Sequence, residues 1–180
     1  MRFMRGIEVG LAVMALSVPF AAQRNQRPVL TDAQVDQIRE AGIFPDERIK
    51  LYTKFVGEHV DTIKDLTGRR HSMARAQKLD QALQDLASLM DELGSNLDQY
   101  GDREADIRKS LKGLNEEIPK WQEALKALPS EPVFDLSQKD AIDASKDLAD
   151  QAAQMMKDQD VYFKLHKDEK GQERAEPKPQ

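Results

Sequence analysis

At 180 residues the chain has room for one domain with a core of its own. Its composition, 33% charged and 39% hydrophobic with only 6% aromatic, suits amphipathic helices better than sheets, which draw on β-branched and aromatic side chains. The absence of cysteine excludes disulfides, thiolate metal sites, covalent haem and a lipid-bearing cysteine, and a net charge of −5 argues against a nucleic-acid partner, whose phosphates call for Lys and Arg.

The chain opens with Arg2 and Arg5, followed from Val9 to Ala22 by 14 residues without charge. That is the shape of a signal peptide, and the apolar run falls short of the about 20 residues a membrane span needs. The sequence therefore predicts export, to the periplasm or beyond the cell, with residues 1–22 as the signal peptide and 23–29 as a polar tether. The helical domain would occupy 30–166 and a disordered tail 167–180, where almost nothing is apolar. Without residues 1–22 the chain keeps 25 basic and 31 acidic residues, a net charge of −6.

A short first helix is signalled by Thr31 as cap, Gln34 three residues on, and Leu30 with Val35 as a hydrophobic staple; Gly42 is its stop. The second helix begins at Pro45, where a missing N–H costs nothing, and closes at Thr67-Gly68. Its apolar row is Ile49, Tyr52, Val56, His59, Ile63 and Leu66, spaced alternately by three and four. The same spacing runs from Ala76 through Leu79, Leu83, Leu86, Met90, Leu93 and Leu97 to Tyr100, which predicts a third helix from His71. It resumes in a fourth with Ile107, Leu111, Leu114, Ile118, Trp121, Leu125 and Leu128, interrupted by Pro119. After an extended crossover through Pro129 and Pro132, Ser137 and Asp140 form a capping pair for a fifth helix with Ala141, Ile142, Ser145, Leu148, Ala152 and Met155 or Met156 inward. Gly57, Gly94 and Gly113 are expected at close helix contacts.

These elements predict an all-α fold, an antiparallel bundle of four long helices preceded by a short one. The alternative is that the third and fourth merge into one long coiled-coil helix, since Tyr100 to Ile107 is a single heptad. The two-helix reading takes Gly101 as a left-handed stop and Asp102 as the next cap, and sets the rows in layers, with Leu97 opposite Ile107 and Leu83 opposite Trp121.

No catalytic, cofactor-binding or metal-ligating set is expected. His59 sits in an apolar row, but no second ligand is spaced with it. The Glu-x-x-His spacing of di-iron bundles is missing, because Val56, Gly68 and Phe163 stand three residues before the histidines. Asp158, Asp160 and Glu169 match three positions of a calcium loop, yet Phe163 stands where the sharp turn demands Gly. Arg69, Arg70, His71, Arg75 and Lys78 gather at the head of the third helix, where positive charge opposes the helix dipole. Arg69, Arg70, Arg75 and Lys78 are thus a candidate patch for an anionic partner, a membrane surface or an acidic protein, set against a solvated face offset by neighbouring acids.

The run Leu30-Thr31-Asp32-Ala33-Gln34 resembles the Leu-Thr-x-x-Gln motif of Spy-like envelope stress chaperones. The resemblance implies a small periplasmic helical protein that holds unfolded clients. Three readings of function stand side by side. The leading one is an exported non-enzymatic bundle acting by macromolecular interaction or self-assembly. The others are a Spy-like chaperone and a small-ligand carrier with a pocket between helices around His59.

Overall fold

The computed structural model describes residues 28–169, so the signal-peptide segment, most of the tether and most of the tail lie outside the described residues. Five helices follow one another: α1 Asp32–Glu40, α2 Pro45–Thr67, α3 Met73–Asp102, α4 Arg108–Lys126 and α5 Asp135–Leu165, then a short 3-10 turn at Lys167–Glu169. Among the described residues there is no strand, and no helix is long and apolar enough to cross a membrane.

Local chemistry accounts for most boundaries. The Thr31 hydroxyl accepts from the Gln34 N–H at 3.3 Å while the Gln34 side chain accepts from the Thr31 N–H at 2.9 Å, so the reciprocal cap is formed. Gly42, at φ +57°, ends that segment in the left-handed region, and Pro45 occupies the first turn of α2. Helix α3 starts at Met73 rather than His71, because the Ser72 hydroxyl accepts the Arg75 N–H at 3.2 Å.

Three expected signals are corrected. Gly101 does not stop α3 and Asp102 does not cap α4; both belong to α3, and the left-handed residue is Glu104, at φ 55°. The Ala105 N–H bonds the Tyr100 carbonyl at 3.1 Å and the Glu104 N–H bonds the Gly101 carbonyl at 2.9 Å. That pattern is the Schellman ending, built on a glutamate at roughly 1 kcal/mol more than glycine would need. Similarly, Ser137 does not cap α5: the helix has already begun at Asp135, whose carboxylate accepts the Glu131 N–H at 2.7 Å. The Ser137 hydroxyl instead donates to Asp80 on α3.

Residue pairs across the seams give the topology. Tyr52 with Glu92 and Arg48 with Asn96 make α2 and α3 antiparallel, and Gln122 with Ser145 and Gln138 with Leu125 do so for α4 and α5. Helix α5 lies parallel to α3, since Ser137, Gln151 and Gln159 meet Asp80, Gly94 and Ala105 in rising order. Ser110 bonded to the Asp46 carbonyl brings together the first turns of α4 and α2, which are likewise parallel. Helices α3 and α4 share no Cα–Cα approach within 8 Å; they are diagonal partners.

The layers expected of a close α3–α4 hairpin, Leu97 opposite Ile107 and Leu83 opposite Trp121, are therefore not those of neighbouring helices. The two helices are separate, but cysteines at 83 and 121 would stand too far apart for a disulfide, which tolerates about 7 Å between Cα atoms. With neighbours about 10 Å apart a diagonal is about 14 Å, and the five residues 103–107 reach about 17 Å when extended. The connection is long enough to cross, and Ala105 and Ile107 are buried as it does. Heptad spacing fixes which side faces the core without saying which helix lies beside which.

The core is one continuous cluster along the bundle axis. Leu79, Leu83, Leu86, Leu93 and Leu97 of α3 and Leu111, Leu114 and Ile118 of α4 are at most 1% exposed. Each such side chain contributes about 1.5–3 kcal/mol by leaving water, which must carry a fold that has no covalent staple. Pro119 stands on the exposed side of α4, where losing one helical hydrogen bond costs least.

Candidate functional site

The basic cluster at the head of α3 divides. Arg69, Arg70 and Lys78 are exposed, and Arg69 pairs with Asp65 one turn back on α2. Arg75 is 4% exposed and reaches the α4–α5 connection, where it pairs with Glu131. The mostly solvent-facing His71 places its Nδ1 at 3.3 Å from the same carboxylate and 3.0 Å from the Arg75 guanidinium. Two further Arg75 nitrogens, Nε and Nη1, are buried without a partner. Four cations are therefore not presented together: one of them holds the fold, neutralised by an acid brought from 56 residues away.

His59 is half-buried. Burial holds its pKa below the usual histidine value, against the opposing pull of Asp85 and Glu58. Asp158 and Asp160 lie on α5 rather than in a loop, and residues two apart on a helix point away from each other. Asp158 accepts from Gln154 at 2.9 Å and Asp160 faces Arg108 at 3.5 Å. Among the described residues no three His, Cys, Asp or Glu are grouped to hold a metal ion.

Two adjoining concavities lie on the seam of the parallel pair. One of about 470 Å³ is bounded by Asp98 and Glu104 from α3 and its ending and by Met155, Asp158, Tyr162 and Phe163 from α5. A second, about 270 Å³, adjoins it through shared Asp98 and Gln151 and adds Asp91 and Asp147. Together they make a furrow along the second half of α3. His59 lines neither.

Small residues and amides create this furrow. A Cβ on Gly94 would come within 2.8 Å of the Gln151 side-chain oxygen, and one on Gly101 within 3.2 Å of the Met155 methyl. Gly57 and Gly113, by contrast, face open space and are not close-contact points. Gln151 donates to the Gly94 carbonyl at 2.9 Å and to Asp98 at 2.6 Å. At the end of the furrow the buried Gln159 amide donates to the Ala105 carbonyl at 2.7 Å and accepts the Ile107 N–H at 3.1 Å, pinning the diagonal connection to α5. The Tyr162 hydroxyl donates to Glu104 at 2.7 Å, its ring stacks on His166 at 4.1 Å and meets Phe163 edge-on at 5.0 Å, and the Arg108 guanidinium covers Phe163 at 4.8 Å.

Among the described residues five carboxylates line the furrow and no Lys, Arg or His does. Asp91, Asp98, Asp147 and Asp158 form no ion pair among the described residues. The Asp91 carboxyl is held above its usual range, first by burial and then by the neighbouring Asp147 charge. What such a surface offers is binding: negative charge on the banks and apolar contact at Met155 and Tyr162.

The sequence reading did not find this site. Its traces were visible, in Gly94 and Gly101 seven residues apart, Asp91 and Asp98 likewise, and the small-residue face of α5. Joining them required knowing that α3 lies against α5. No protein-family model, no curated protein and no solved structure matches the chain.

Proposed function

We propose that this is an exported, non-enzymatic helical-bundle protein that acts by binding another macromolecule. The observation that carries the reading is the open furrow on the α3–α5 seam, where carboxylates, amides and apolar side chains form a recognition surface about 20 Å long. The basic start and uncharged run of the first 22 residues support export. The test is photo-crosslinking in the native envelope from a reactive residue at Gln154, on the furrow wall. A discrete adduct with one macromolecule is expected. Absence of any adduct from this and from positions on the other faces overturns the reading, as does an intact N-terminus on cytosolic protein for the export half of it.

A second reading, a Spy-like holder of unfolded clients, draws on the apolar side chains left in solvent at the end of the bundle where α3 finishes. Ile43 is 66% exposed, Phe44 50%, Val161 59% and Leu165 79%. If these residues hold clients, replacing Ile43 and Leu165 by Ser removes suppression of client aggregation without changing the melting temperature.

A further inference from the structure

The furrow has a sign, a length and a repeat, and these define what it fits. Asp91 and Asp98 stand seven residues apart on one bank, about 10 Å along the helix, with Asp147 and Asp158 on the other. The fold adds to this field. Helices α3 and α5 run parallel, so both negative dipole ends come to the same end of the furrow; the basic residue at the end of α3 is its C-cap Arg103, which lines neither concavity. Lys164, in the last turn of α5, lines neither concavity. Charge against the dipole of α3 is unfavourable for the folded chain alone, and a cationic partner removes that cost.

A free metal ion matches this poorly. The carboxylates are spread along a furrow instead of converging, and Asp98 and Asp158 are already held by the amides of Gln151 and Gln154. Met155 and Tyr162 between the banks ask for an apolar stripe on the occupant, and about 20 Å accommodates about 13 residues of helix. From these observations we infer that the α3–α5 furrow binds a basic amphipathic helix of a protein partner. Its Lys or Arg residues, seven apart, would meet Asp91 and Asp98, and its apolar stripe would rest on Met155 and Tyr162. This rests on the macromolecule-binding reading above and adds the site and the chemistry of the partner.

The probe is a fluorescent 14-residue peptide with Lys at positions seven apart and a Leu stripe, titrated by anisotropy against the purified chain, beside a peptide with Glu in place of Lys. One-to-one binding of the Lys peptide is expected, weakening as salt rises, with none for the Glu peptide. The Asp98→Asn, Asp158→Asn double variant, whose fold is checked by its helical circular dichroism, should bind about tenfold more weakly. Asp61→Asn, an acid on the exposed side of α2 that pairs with Lys64, should bind as the parent does. Equal weakening by Asp61→Asn would reduce the effect to net charge and overturn the inference. So would absence of binding, or a self-dimer that the furrow variant dissolves. If the peptide fails while crosslinks at another face still trap a macromolecule, only the furrow inference falls; if neither is seen, both do.

Discussion

The two ends of α3 carry charge of the wrong sign for a helix, and the fold treats them differently. At the N-terminal end Arg75 opposes the dipole, and the chain brings Glu131 from the α4–α5 connection to neutralise the buried guanidinium. At the C-terminal end Asp98 also opposes the dipole, and what the fold brings is the neutral amide of Gln151. A charge the molecule has itself compensated is part of its architecture. One left without a counter-charge on an open surface is available for something else.

The largest effect should come from undoing the compensated end. Glu131→Gln removes the partner of a buried guanidinium that already has two nitrogens unsatisfied, and should lower stability by about 3 kcal/mol in urea unfolding. Near the other end, Gln159→Leu leaves the Ala105 carbonyl and the Ile107 N–H buried without partners. We expect a loss of about 2 kcal/mol, with faster amide exchange confined first to 103–107 and the end of α5.

Asp98→Lys sharpens the contrast from the opposite side. A cation in the last turns of α3 suits the dipole, so the variant should be more stable by about 0.5 kcal/mol while losing affinity for a cationic peptide. Stability unchanged or lowered would mean that the Gln151–Asp98 bond matters more than the field.

The smallest effect concerns His59, away from both ends. Its pKa in the folded chain lies below the ordinary value of 6.5, so the unfolded chain takes up the proton first as pH falls. The contribution of the neutral ring is complete above that value and is lost as pH drops through the window beneath it. Urea midpoints at about pH 7.5 and about pH 5.5 should therefore differ more in the parent than in His59→Gln.

Much of the fold was legible because the rules involved are local. The Thr31–Gln34 cap, the Gly42 stop, Pro45 at the first turn of α2 and the buried rows of α2, α3 and α4, the half-buried His59 apart, follow from spacing and from orphan backbone groups within a few residues. The misreadings share a cause, which is that long-range contact decided them. Ser137 looks like a cap until Asp80 claims its hydroxyl. Gly101 looks like a stop until Met155 is packed against it. Arg75 looks like a surface cation until Glu131 is beside it. The furrow was hidden for the same reason, since its banks come from helices whose bonded partners are more than 50 residues apart in sequence.

The diagonal step between α3 and α4 also sets how the chain can be assembled. In a sequential bundle each helix packs on the one just made, so structure grows from the N-terminus. Here α4 packs on α2 and not on α3, and the remaining slot between α3 and α4 is filled by α5. A chain emerging from a ribosome therefore carries the open flanks of α3 and α4 until α5 is out. Contacts spanning 52 to 58 residues must close together, which raises contact order for an all-helical protein and slows its folding relative to bundles of local hairpins. Truncation before Asp135 should thus remove cooperativity altogether instead of trimming one helix from a stable remainder.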